Sequence, residues 1–128
     1  MRPLAIGCIV AVAGAPVETI KVFGHLIPDT DAICAALGYA WELQERGISA
    51  RAYRLGELNS ETSYVLSALK IETPPLLERL SVGTRVAVVD TNNPQELPEG
   101  INRADIHSVS CVKSTFGWVV GPVERVLT

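Results

Sequence analysis

The stretch TIKVFGHLIPDTDAICAALGYAWELQERG, Thr19 to Gly47, decides the fold. It opens on a short β-rich run, Thr19 to Phe23, that stops at Gly24. An irregular segment, Gly24 to Asp31 (GHLIPDTD), follows. Pro28 cannot sit inside a strand or helix there, and it pushes Ile27 out of helical space. From Ala32 to Arg46 the apolar residues Ile33, Leu37, Ala40 and Trp41 recur at helical spacing, which predicts a helix. Gly47 ends it, as a helix C-terminal glycine does.

The same rhythm continues outward. Ala50 to Arg54 (ARAYR) reads as a second short strand, and Glu57 to Ser60 as a polar turn. Ser60 to Leu69 reads as a second amphipathic helix with Tyr64, Val65 and Leu69 on one side. Pro74-Pro75 breaks the pattern, and Leu76 to Leu80 reads as a short helix. RVAVVD, Arg85 to Asp90, is the clearest strand, an apolar run that ends in a carboxylate. Thr91 to Gly100 is loop, and Ala104 to Val109 (ADIHSV) is a fourth strand. Strand, helix, strand, helix, strand, strand implies an α/β fold, a parallel sheet flanked by helices. Right-handed crossovers place the C-terminal ends of the strands on one edge, where ligands bind in open α/β sheets. Gly24 to Asp31 and Asp90 to Asn93 both leave such ends, so they should converge although far apart in the chain.

Composition bounds what such a sheet does. With 128 residues the chain has room for one domain of ordinary size. Hydrophobic residues at 48% and charged residues at 20% exclude disorder for most of it. A net charge of -3 without a basic run argues against nucleic acid as a partner, and 5% aromatics leave few stacking platforms. Cys8, Cys34 and Cys111 are too few and too scattered for a disulfide framework or a zinc cluster; buried reduced thiols in a cytoplasmic protein are expected. The N-terminal run from Leu4 to Ala13 has signal-like features. Its positive region is a single Arg, however, Pro16 follows the would-be cleavage point, and the Ile and Val content suits a buried strand. The run is too short to span a membrane as a helix, so no membrane partner is expected. Gly14, Gly24 and Gly38 lack the spacing of a phosphate-cradling loop, and no G-x-S-x-G is present. Tyr39 and Trp41 read as core or interface residues.

The residues that carry chemistry are His25, Asp29 and Asp31, an H-x-x-x-D-x-D in one short segment, and Asp90 from another strand end. One imidazole with three carboxylates is a hard, oxygen-rich ligand set that suits Mn²⁺ or Mg²⁺. Two carboxylates at i and i+2, with a third arriving from elsewhere, can bridge a pair of metals. Packed this closely, they would repel strongly without cations between them. Each residue also has a plainer reading: an aspartate capping the helix, an acidic strand end, a surface histidine.

VFGHLIPDTDAICAA, Val22 to Ala36, resembles the opening motif of the manganese-dependent inorganic pyrophosphatases, the family II enzymes of the Asp-His-His phosphoesterase superfamily. RLGELNSET, Arg54 to Thr62, is similar to that family's second block, and VAVVDTNNP, Val86 to Pro94, to its third. The resemblance implies the Rossmann-like N-terminal domain of the superfamily over residues 17–109, with residues 1–16 as an apolar extension and 110–128 as a divergent tail. It further implies that His25 and Asp29 bind one metal, that Asp31 binds the other, and that Asp90 bridges both metals and the attacking hydroxide. Asp90 and His25 would be the catalytic residues. Mn²⁺ would be the cofactor, with Co²⁺ or Mg²⁺ as substitutes, and pyrophosphate the substrate, cleaved to two phosphates; substrate-binding residues are not assigned. A homodimer through the N-terminal domain also follows from the resemblance.

Thr91 stands where many members have a histidine. After ADIHSV the family shows Asp-His-His, whereas this chain reads Ser110-Cys111-Val112-Lys113. A later aspartate ligand and the second, substrate-clamping domain are also not found, which implies an incomplete pyrophosphatase, weak or inactive alone. Two rivals remain at this point: a phosphodiesterase of the same superfamily acting on short oligonucleotides or cyclic dinucleotides, and a non-catalytic dimerisation fragment.

Overall fold

A computed structural model describes residues 18–110 and 125–127. Within it, side-chain alternation sorts each strand into two faces. In β1 (Ile20–Phe23), Ile20 and Val22 pack to one side and Phe23 to the other. In β3 (Arg85–Val89), Ala87 and Val89 join the side of Ile20, while Val86 and Val88 join that of Phe23. Burial on both faces is why RVAVV is a continuous apolar run rather than an alternating one. With β2 (Ala50–Ala52), β4 (Asp105–Ser110) and β5 (Arg125–Leu127) the strands form one sheet in the order β2-β1-β3-β4-β5, and every neighbouring pair is parallel. The α/β reading with a parallel sheet therefore holds.

The helix α1 (Thr30–Glu45) lies on the Ile20 face through Ala36, Tyr39, Ala40 and Leu43. It starts two residues earlier than its apolar spacing predicts, because Asp29 caps it: Asp29 Oδ1 accepts from the Ala32 amide at 2.9 Å. The opposite face is covered, among the described residues, by Leu55, Leu77, Leu80, Leu97 and Ile101 from loops and a short 3₁₀ turn rather than by an α-helix. The helix α2 (Ser60–Ala68) sits beside α1. No helix among the described residues is long and apolar enough to cross a membrane.

Several expectations need correcting. Leu76 to Leu80 is not a helix: Pro75 O accepts from the Arg54 amide and Arg54 O from that of Leu77, so this segment runs extended beside the end of β2. Two prolines entering the segment disfavour the α conformation and leave the chain free to pair. The buried side of α2 is Thr62 and Leu66, whereas Tyr64 and Leu69 are 74% and 63% exposed. A periodicity search weights apolarity and so passes over a buried threonine. Trp41 is 58% exposed and Cys34 is an exposed thiol, not a buried one. Cys8, Cys111 and the apolar N-terminal run lie outside the described residues. Within the divergent tail, to which the sequence reading assigns no element, Arg125–Leu127 forms β5.

The strand ADIHSV carries an irregularity invisible in its sequence. Val86 pairs with Ile106 but Ala87 with Ser108, so His107 is an extra residue in the ladder. This bulge turns Ser108 toward α1 while Ile106 and Val109 both stay on the Phe23 face. There the fully buried Ser108 hydroxyl meets the Tyr39 hydroxyl at 3.1 Å. Removing one partner leaves the other hydroxyl buried and unsatisfied, a cost of about 1–3 kcal/mol, whereas removing both is closer to neutral. Tyr39→Phe and Ser108→Ala are thus each expected to lower stability in urea unfolding. The double variant should lose clearly less than the sum; strict additivity would show that the pair is not coupled.

Candidate metal centre

The register of the two central strands builds the site. Phe23 pairs with Val88, so the two chains leave the sheet side by side, His25 and Asp90 each two residues further on. Gly24 makes the close passage possible. A Cβ at this position would lie 2.8 Å from the Ala32 Cβ and 3.2 Å from the Ala32 Cα, so any side chain would drive the loop away from α1. The loop is also held from outside: the Leu26 amide donates to Glu96 O at 2.8 Å. Glu96 in turn accepts from the buried Thr91 hydroxyl at 2.6 Å, and Thr91 Oγ1 accepts from the Asn93 amide at 3.1 Å. Thr91, the position where the family pattern has a histidine, therefore ties the segment after Asp90 to the segment around His25.

His25, Asp29 and Asp90 come together. His25 Nε2 lies 3.5 Å from Asp29 Oδ1 and 3.3 Å from Asp90 Oδ2. One ligand atom from each lies within 4.8 Å of the others. The same imidazole nitrogen faces both carboxylates, so three donor atoms converge on one point. One nitrogen and two carboxylate oxygens match a hard-to-borderline divalent cation such as Mn²⁺. Asp29 thus has both readings offered for it: its Oδ1 caps α1 and also faces the histidine. Asp31 is not in this group; it lies exposed in the first turn of α1.

The electrostatics of the cluster are unfavourable as they stand. Asp90 holds its proton above the ordinary carboxylate value of 3.8 because burial disfavours its charge, with the Asp29 carboxylate adding repulsion. The His25 ring opposes the shift, Asp31 adds to it, and a hydrogen bond from His25 again opposes it. Asp90 also has a left-handed backbone, φ 61°. Among non-glycine residues Asp and Asn tolerate that region best, so a carboxylate is kept there at some conformational cost.

Sequence reasoning passed over what lies behind the loop. The Thr30 hydroxyl donates to Glu61 Oε1 and lies 3.0 Å from Thr62 Oγ1. Asn59 caps α2 by accepting from the Thr62 amide at 2.7 Å. Glu61 and Thr62 stand in the second resembling block, but no periodicity or ligand spacing marks them as partners of Thr30.

No family model matches the chain. A Deinococcus radiodurans protein named "Probable manganese-dependent inorganic pyrophosphatase" is 50% identical over 90 residues, which is 70% of this chain and 29% of that protein. Proteins of the same name in Oceanobacillus iheyensis and Listeria innocua are 40% identical over 93 residues and 42% identical over 89. These matches cover 73% and 69% of this chain but only 30% and 29% of the relatives. The chain therefore spans about three tenths of the length of the curated relatives it matches, an N-terminal part of them. A solved Methanococcus jannaschii structure, described as a family II inorganic pyrophosphatase, has the same fold over 84% of this chain and 34% of its own, with a TM-score of 0.73 and 24% identity.

The charge balance has a measurable consequence. Because the folded chain holds the Asp90 proton to higher pH than the unfolded chain does, stability falls as pH rises through 3.8 toward the raised value and stays lowered above it. Asp90→Asn, which suits the left-handed backbone, should stabilise the metal-free chain at pH 7. Its advantage should shrink as pH drops below 3.8. Thermal unfolding of both forms across pH checks this; an Asn variant less stable at pH 7 would mean that Asp90 is needed for the fold itself.

Proposed function

We infer that this chain, homologous over about 90 residues to the N-terminal part of manganese-dependent inorganic pyrophosphatases, supplies metal-holding residues for the hydrolysis of pyrophosphate. The observation that carries the reading is the convergence of His25, Asp29 and Asp90 at the C-terminal edge of the parallel sheet. Each comes from a motif by which the chain resembles those enzymes.

Residues 17–109 make up the metal-holding part in this reading. His25 Nε2, Asp29 Oδ1 and Asp90 Oδ2 would hold a divalent cation, and Asp31, exposed in the first turn of α1, would serve a second. Bound there, such cations lower the pKa of water and neutralise charge on the attacked and leaving oxygens. The chain's own part is to hold donors in place. Capping of α1 fixes Asp29, the Gly24 passage fixes His25 beside Asp90, and Thr91 ties the two segments together. Burial and the carboxylates around Asp90 raise the free energy of the empty site, which favours binding of a cation. Mn²⁺ fits the donor set better than Mg²⁺ because an imidazole site follows the Irving–Williams trend and Mn²⁺ tolerates irregular geometry. Placement in the cytoplasm and a homodimer through this domain belong to the same reading.

The test is a melting series followed by an assay. Mn²⁺ should raise the melting temperature more than Mg²⁺; at a hundred times the dissociation constant the gain is about 2.7 kcal/mol. Asp90→Asn should abolish that gain more completely than Asp31→Asn. With Mn²⁺ present, the 128-residue polypeptide should cleave pyrophosphate in preference to a dinucleotide, and far more slowly than a full-length relative. Removal of one transition-state donor typically costs about a hundredfold or more. Equal melting temperatures with Mn²⁺, Mg²⁺ and chelator would overturn the reading, and preferential cleavage of the dinucleotide would point to a phosphodiesterase.

A further inference from the structure

We propose that Thr30, gripped by Glu61 and Thr62, is a positioning residue that presets the geometry of the cation-binding loop; the inference rests on the metal reading above. Thr30 lies between Asp29 and Asp31, and its side chain bonds to α2. Its single proton goes to Glu61, so its oxygen is left to accept from the Thr62 hydroxyl. The chain of bonds therefore runs from Thr62 through Thr30 to the Glu61 carboxylate, with the last link charge-assisted. Thr62 is fully buried, and its amide is fixed by the Asn59 cap, so the donor cannot wander.

The same segment presses on the loop at a second point. A Cβ on Gly56 would lie 2.6 Å from Leu26 O and 3.1 Å from Pro28 Cδ, so only a glycine lets the segment come this close. Contacts at Leu26, Pro28 and Thr30 flank His25 and Asp29, the two donors that the loop supplies. None of these contacts uses a donor atom of the cluster. This is the arrangement expected of groups that order ligands without touching the ion: a loop already in its binding conformation has less freedom to lose when the cation arrives.

Mn²⁺ affinity of the full 128-residue chain, read from the free-ion signal in electron paramagnetic resonance, tests this separately from catalysis. The metal-free melting temperature is measured in parallel, and binding is read well below it. Thr30→Val keeps the shape and removes the hydroxyl; it should weaken Mn²⁺ binding by about tenfold or more, the usual effect of losing a group that orients a ligand. Thr30→Ser restores the hydroxyl and should bind within about twofold of the unaltered chain. Glu61→Gln, an exposed change that removes the charge from the last link, should lower affinity in the same direction without altering the fold. Unchanged affinity in Thr30→Val and Glu61→Gln, with binding still abolished by Asp90→Asn, would overturn the clamp and leave the metal site standing. Equal losses in Thr30→Val and Thr30→Ser would also overturn it, since the hydroxyl would then be irrelevant. An unaltered chain that binds no Mn²⁺ would overturn both.

Discussion

The passage of the chain at Gly24, squeezed between the first turn of α1 and the last carbonyl of β3, is the constraint on which the site depends. Parallel pairing of β1 with β3 already aligns the two exits, but alignment alone leaves the loop from Gly24 to Asp29 free to swing outward. The missing Cβ lets Ala32 close on the backbone. Closure brings Asp29 into capping position and carries His25 over Asp90. Packing, capping and the donor cluster thus follow from one close approach.

What this arrangement gathers is unfavourable for stability. Asp29 and Asp90 face a single imidazole, Asp31 adds its charge nearby, and Asp90 sits half-buried at a left-handed backbone angle. A chain selected only to fold would place an asparagine or a glycine at such a point. Carboxylates held there against burial and mutual repulsion are the mark of a group kept for what it binds. The stiffness that resists the repulsion comes from contacts outside the cluster: the Thr91–Glu96 bond, the Leu26–Glu96 bond and the Asn59 cap.

The strands and long helix were legible because their signals are local. RVAVVD shows burial on both faces, and Ile33 to Trp41 shows a helical period. That His25 and Asp90 share one edge followed from the parallel topology, and the direct pairing of β1 with β3 brings them together. Other features depended on contacts that no local pattern records. Leu76 to Leu80 has helix-like content but pairs with Arg54, and α2 buries a threonine where an apolar residue was sought. The His107 bulge, which turns Ser108 to meet Tyr39 across the core, is likewise a matter of long-range contact. Thr30, Glu61 and Thr62 are common surface residue types whose partnership exists only once the two helix starts lie side by side. Asp31, which the resemblance assigns to a second metal, lies outside the three-residue cluster, exposed in the first turn of α1.

In the proposed centre, His25 Nε2 and two carboxylates from separate strand exits take hold of one cation. Electron spin echo modulation of Mn²⁺ bound to the chain reads directly whether an imidazole nitrogen is attached to the metal. The chain has two histidines, so one variant assigns the signal. Nitrogen modulation is expected, and it should disappear in His25→Gln while the variant stays folded. Bound Mn²⁺ without nitrogen modulation, or modulation that survives His25→Gln, would contradict the proposed centre.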